Sequence, residues 1–190
     1  VVLKNLPDIL DISIMRELLI SLGVIIKKID KHTYSFNSNN ITSTIPDVSQ
    51  AIRIRGSFLL AGPLIARKGK IDLPAPGGDR IGLRPVDTHI LALEKLGASI
   101  SQKNNELYHM KTNGLLGNKI ILDEASVMAT ENAIMAAVTA KGETTIYNAA
   151  CEPHVQGLCN FLVMLGAKII GIGSNLIVIE GVTKLSGGEY

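Results

Sequence analysis

Three stretches of this chain repeat one pattern, and fixed-period repetition limits the architecture before any local reading begins. Leu18-Leu19-Ile20-Ser21-Leu22-Gly23-Val24, Leu91-Ala92-Leu93-Glu94-Lys95-Leu96-Gly97-Ala98 and Phe161-Leu162-Val163-Met164-Leu165-Gly166-Ala167 each read as the end of an apolar-periodic helix, a Gly just past it, and the start of a strand. A hairpin signal and a second strand follow each copy: Tyr34-Ser35-Phe36, Leu107-Tyr108-His109-Met110 and Ile177-Val178-Ile179. A second element also recurs. Residues 50 to 67 and 126 to 140 read as Ala-, Met- and Leu-rich helices, each followed by Gly (Gly69, Gly142) and a strand, Lys70 to Leu73 and Thr144 to Tyr147. The matching strand, Val1-Val2-Leu3-Lys4-Asn5, opens the chain. The first repeat is therefore expected to start without its leading helix, leaving apolar surface that favours self-association.

The spacings agree between copies one and three. From Leu3 to Gly23 the offset equals that from Ile146 to Gly166, whereas Ile71 to Gly97 is six residues longer. The extra residues fall between Pro74 and Arg84, so the segment Pro76-Gly77-Gly78-Asp79-Arg80 is an insertion into a regular unit. Irregular additions to a rigid scaffold are where function tends to sit. The helix at 126 to 140 is apolar nearly all round and so predicts burial on most faces. The strands near 24 to 36, 98 to 110 and 168 to 179 alternate, as strands with one solvated face do. The predicted fold is an α/β inside-out barrel of βαβαββ-type repeats about a pseudo-threefold axis, with helices buried and sheets outside, all within residues 1–190.

Composition narrows the function classes. Aromatic residues make up 4% of the chain and Trp is absent, which argues against a stacking platform for single-stranded nucleic acid. A formal net charge of +2 implies no polyanion partner. Cys151 and Cys159 have no metal-like spacing, and the four histidines (His32, His89, His109, His154) are scattered, so no metal and no cofactor is expected. Neither a secretory segment nor a membrane-length apolar run is seen, which reads as a cytoplasmic chain with no membrane partner. Gly171-Ile172-Gly173 lacks the third glycine of a dinucleotide fingerprint, because position 176 is Leu.

Charge is unevenly placed, with seven basic residues between Arg53 and Arg84 (Arg53, Arg55, Arg67, Lys68, Lys70, Arg80, Arg84) against Asp72 and Asp79. Such a segment suits a small anionic ligand or a solvated basic face. Gly77, Gly78 and Gly82 give the loop backbone freedom to close over a ligand, and Asp79 at its tip is either a general acid or the tip of a plain turn. A substrate phosphate would raise its pKa while Arg80 and Arg84 would lower it. Pro85 is expected at or near the first position of a helix whose free N–H groups, with Arg84 beside them, form an anion site or a simple cap. Asp87 would bond a sugar or base, or favour the helix dipole. Arg53 and Arg55 are expected early in an apolar helix, on different faces. Ser126 is the natural N-cap of the buried helix.

Together these motifs resemble the UDP-N-acetylglucosamine enolpyruvyltransferase family. The likeness is carried by Arg55-Gly56-Ser57 with Ala61-Gly62-Pro63-Leu64, by Pro76-Gly77-Gly78-Asp79, by Gly82-Leu83-Arg84-Pro85-Val86-Asp87-Thr88-His89, by Ser126-Val127-Met128-Ala129-Thr130, by Asn148-Ala149-Ala150 with Glu152-Pro153, and by Leu165-Gly166-Ala167. The resemblance implies transfer of the enolpyruvyl group of phosphoenolpyruvate to the 3′-hydroxyl of UDP-N-acetylglucosamine, the first committed step of peptidoglycan synthesis. It also implies that this is one of two three-repeat domains with the active site between them, so that this domain alone would be inactive. By resemblance Asp79 takes the place of the loop residue, usually Cys, that protonates phosphoenolpyruvate. Arg55, Arg84, Pro85, Val86, Asp87, Thr88, Glu124, Ala125, Ser126 and Val127 would line the substrate site. The sequence departs from the family at Glu124, where Lys is usual, and at Met128, where Gly is usual. A carboxylate at position 79 implies resistance to fosfomycin, which alkylates the family's thiolate.

Overall fold

The computed structural model describes residues 1–78, 85–103 and 106–190. In chain order the elements are β1 (Val2–Leu3), α1 (Leu10–Ser21), β2 (Ile25–Lys28), β3 (Tyr34–Asn37), α2 (Val48–Ala51), a 3₁₀ segment (Arg55–Leu60), α3 (Ala61–Lys68), β4 (Lys70–Pro74), α4 (Asp87–Lys95), β5 (Ser99–Lys103), β6 (Leu107–Lys111), β7 (Lys119–Ile121), α5 (Val127–Ala137), β8 (Glu143–Tyr147), α6 (Pro153–Met164), β9 (Lys168–Ile170) and β10 (Leu176–Glu180).

The three predicted helix-glycine-strand junctions are built alike. Gly23, Gly97 and Gly166 follow α1, α4 and α6 with φ of 99°, 97° and 103°, a region that side chains rarely adopt. Each glycine N–H donates to a carbonyl of the last turn, of Ile20, Glu94 and Val163, at 2.9 Å. The next N–H reaches one residue further back, to Leu19 (3.0 Å), Leu93 (3.0 Å) and Leu162 (2.9 Å). These paired bonds satisfy carbonyls that the helix end would otherwise leave open, and turn the chain into the following strand.

Each repeat then forms its own small sheet. The strand orders are β1-β3-β2, β4-β6-β5 and β7-β8-β10-β9, so in every copy the leading strand pairs antiparallel with the last strand of the hairpin. Each leading strand also has an outer neighbour. Beside β8 it is β7, which runs parallel to it; beside β4 the N–H of Asp72 donates to the Thr44 carbonyl at 3.1 Å. Beside β1 it is the C-terminal segment: Val2 N–H donates to Gly188 O (2.8 Å), Tyr190 N–H to Val2 O (3.0 Å) and Lys4 N–H to Tyr190 O (2.9 Å). Strand β7 is absent from the sequence reading, because three residues are too few to display alternation.

Helix α5 lies at the centre and packs on α3, α4 and α6. Ala129, Ala133, Ile134, Ala136 and Ala137 are buried there, as its apolar circumference predicts. The helix expected over residues 50 to 67 is instead three pieces. Pro63 accounts for the junction between the 3₁₀ segment and α3, since its ring would clash with the carbonyl of residue 59, four back, and it lacks an N–H; the break at residues 52–54 lies beyond its reach. It is tolerated only in the first turn of α3, where no N–H partner is needed. Arg53 sits in a turn and Arg55 at the start of the 3₁₀ segment, rather than together on one helix.

Candidate active site

Two of the sequence-predicted residues, Asp79 and Arg84, lie outside the described residues, as does Arg80. The root of their loop is well defined. A Cβ on Gly77 would fall 1.4 Å from the Ile52 carbonyl oxygen, so the backbone here is pressed against residue 52 and only glycine fits. Gly78, at φ 93°, would place a Cβ 3.2 Å from the Arg55 nitrogen. The glycine pair thus serves close backbone approach as well as freedom, and it brings the residue before Asp79 against Arg55.

Arg55 is half-buried, and its guanidinium donates to the Pro85 carbonyl at 3.0 Å. This bond joins the 3₁₀ segment to the entry of α4. Pro85 precedes the N-cap Val86, so the first helical residue is Asp87, two positions later than the proline. Val86 carries no side-chain acceptor, and the first-turn acid Asp87 is exposed and favours the helix dipole.

Thr88 is buried, and its hydroxyl donates to Asp123 at 2.7 Å, with a Glu124 oxygen 3.4 Å away. The starts of α4 and α5 are thereby joined side by side. Ser126 caps α5 as expected, its hydroxyl accepting from the Ala129 N–H at 3.4 Å. The Asn148-Ala149-Ala150 stretch supports the same corner. Asn148 donates from its side chain to Leu122 O (3.0 Å), and the Ala150 N–H donates to the Thr130 hydroxyl (3.0 Å), which itself donates to Ser126 O (2.7 Å). Asp87 and Asp123 line an open groove of about 490 Å³ together with Ile90, Leu91, Glu94 and Lys95.

Among the described residues the basic segment does not converge. Arg67 donates to Ser38, Lys68 to the Ile41 carbonyl and Arg53 to Gln50, so these three hold local structure. Chemically the described site has a guanidinium on one side, suited to an anion. On the other side the carboxylates of Asp87, Asp123 and Glu124 accept hydrogen bonds from hydroxyls and repel phosphate.

Beneath these groups lies a buried polar cluster that the sequence reading missed. Asn132 of α5 is fully buried; its Oδ1 accepts from the Gly62 N–H at 2.9 Å, which fixes the amide orientation. Its Nδ2 then donates to Phe58 O and to His89 Nδ1, each at 2.9 Å. Because Nδ1 accepts, the neutral imidazole carries its proton on Nε2. Burial, and secondarily the Arg55 charge, push the His89 pKa down to about 4. The ring also meets Phe58 edge-on at 5.1 Å. Reading His89 as structural rather than as a ligand agrees with this burial and these contacts.

The family model of EPSP synthase (3-phosphoshikimate 1-carboxyvinyltransferase) matches residues 1–190. The chain belongs to the EPSP synthase family. Among curated proteins it is 51% identical to the UDP-N-acetylglucosamine 1-carboxyvinyltransferase of Treponema denticola over 191 aligned positions, and 51% identical to that of Borreliella burgdorferi. Each comparison covers 100% of this chain but 44% of the relative, so this family member spans less than half the length of the relatives it matches. Among solved structures, the enolpyruvyl transferase NikO from Streptomyces tendae superposes with a TM-score of 0.81 at 20% identity, covering 95% of this chain and 42% of that one. An EPSP synthase from Acinetobacter baumannii gives 0.74 at 18%, covering 99% and 43%. These likenesses bear out the inside-out α/β fold.

Proposed function

We propose that this chain is the loop-bearing domain of a UDP-N-acetylglucosamine 1-carboxyvinyltransferase, acting in the cytoplasm in peptidoglycan synthesis with a second domain of the same protein. The observation that carries this reading is the 51% identity, over the whole chain, to relatives of that name. The reaction joins the sugar 3′-oxygen to C2 of phosphoenolpyruvate, its hydroxyl proton passing to a base or to solvent, while a proton is delivered to the methylene carbon. Loss of one proton from the methyl group so formed, and of phosphate, then restores the double bond on the transferred group.

Asp79 is assigned the delivery of that proton, on its resemblance to the family's loop residue. A carboxyl acts as general acid only while protonated, and an adjacent phosphate dianion favours that form. Arg55 and Arg84 take the phosphates. Asp87, Thr88 and the segment Glu124 to Val127 line the nucleotide sugar, with the carboxylates accepting from its hydroxyls. The closeness of Glu124 to Thr88 and Asp123 supports that division, since a diphosphate at this corner would meet uncompensated negative charge. No cofactor enters this scheme.

The test is titration of the two-domain protein with UDP-N-acetylglucosamine and phosphoenolpyruvate. Release of inorganic phosphate is expected with both present, and this domain alone should release none. Binding without release would make the chain a sugar-nucleotide-binding module instead. A second arm is incubation with fosfomycin followed by intact-mass measurement; an adduct on Asp79 would overturn its assignment as a poor nucleophile toward the epoxide.

A further inference from the structure

We infer that Asn132, acting through His89, is a positioning residue that holds the substrate-binding segments in register. The inference rests on the site reading above. The described binding residues lie on three separate pieces of chain: Arg55 on the 3₁₀ segment, Pro85 to Thr88 at the start of α4, and Glu124 to Val127 at the start of α5. One amide touches the first two from the third. Asn132 is one and a half turns into α5, donates to Phe58 of the 3₁₀ segment and to His89 in the first turn of α4, and accepts from Gly62 of α3.

Its hydrogen-bonding capacity at Nδ2 is spent in full, and every partner is buried or backbone. Surface contacts at the site are weaker constraints. The Thr88–Asp123 bond ends on an exposed carboxylate that water can satisfy, and the Arg55–Pro85 bond is itself solvent-exposed. The buried amide has no such alternative, because losing it would leave the Gly62 N–H and the His89 Nδ1 without their partner away from water and would take from the Phe58 carbonyl one of its donors, the Ala61 N–H remaining. A fixed spacing between Arg55 and the α4 entry therefore depends on Asn132 more than on the surface bonds.

The His89 acceptor can be removed or restored without altering the amide. His89→Leu keeps a similar volume and deletes the acceptor; His89→Asn sets an oxygen at the position of Nδ1. In the two-domain protein, compared at equal folded fraction by circular dichroism, His89→Leu and Asn132→Leu should weaken UDP-N-acetylglucosamine roughly tenfold, seen as a raised KM with a smaller change in kcat. His89→Asn should return the KM close to wild type. A folded His89→Leu protein with unchanged KM would overturn the inference and leave Asn132 a stabilising residue only.

Amide hydrogen exchange separates this outcome from a failure of the functional reading. If wild type does not bind the nucleotide sugar, that reading falls, and exchange alone decides positioning. Protection at 55–58 and 86–88 should drop in His89→Leu and recover in His89→Asn, while Ile71, Met110, Ile146 and Ile179 in the sheets stay protected. Unchanged or uniformly lost protection would refute it.

Discussion

Lowering the pH from about 7 to about 4.5 should cost this protein stability through one side chain, His89. Its folded-state pKa of about 4 lies below the ordinary 6.5, so as the pH falls the unfolded chain takes up the proton first. The contribution of the neutral ring is complete above about pH 6.5 and lost as the pH falls through about 4. The full difference is about 3 kcal/mol, and about 2.5 kcal/mol of it is already gone at pH 4.5. Burial is the main cause, because it disfavours the charged ring; the Arg55 charge adds to it, and Asn132 meets Nδ1 with a donor rather than an acceptor. Urea unfolding across this pH range, for wild type and for His89→Asn, isolates the effect, because the carboxylates titrate alike in both proteins and cancel in the difference. The stability advantage of wild type over the variant should shrink by about 2.5 kcal/mol between the two ends of the range. Parallel profiles would refute the neutral, Nε2-protonated assignment.

Gly77→Ala should destabilise the domain by about 1–3 kcal/mol in urea, because the new methyl meets the Ile52 carbonyl and one of the two backbones must move. No loss would mean that the loop root is not held there. Ser126→Ala should cost about 0.5–1 kcal/mol, towards the low end for a cap since its bond is long at 3.4 Å, read by thermal or urea unfolding. In the two-domain protein Asp79→Cys should gain a fosfomycin adduct in intact-mass spectra where wild type shows none. Leu10, Val48 and Ile52 stand exposed on α1, on α2 and just past it, so this domain alone should self-associate in light scattering; a monodisperse monomer would refute that.

The repeats were legible because each ends in the same short-range chemistry. A glycine in the left-handed region after an apolar helix needs only neighbouring residues to explain it, and Gly23, Gly97 and Gly166 all behave alike. Residues 50 to 67 misled for a comparable reason: apolar content suggested one helix, while Pro63, a single local residue, forbids an α-helix running unbroken through residues 59 to 63. The site was only partly readable. Ser126 as a cap follows from its own sequence context, whereas the meeting of Arg55 with Pro85, and of Thr88 with Asp123, joins residues some 30 positions apart and has no local signature. Asn132 was hidden for the same reason. Amid alanines and methionines it reads as a tolerated polar residue, and its partners at Phe58, Gly62 and His89 come together only through the packing of α5 on α3 and α4.

The pairing of Val2 and Lys4 with Gly188 and Tyr190 bears on how the domain is made. Those residues are far apart in sequence, so their contact closes a longer loop, at a larger entropic cost, than the other strand pairings described here. The hairpins β2–β3, β5–β6 and β9–β10 can form as soon as each has left the ribosome. The seam between Val2 or Lys4 and residues 188–190 must wait until synthesis has passed Tyr190, and until then β1 lacks its outer neighbour. An order of assembly is thus written into the strand pairing, with β1 made before β2 to β10 and completed after them.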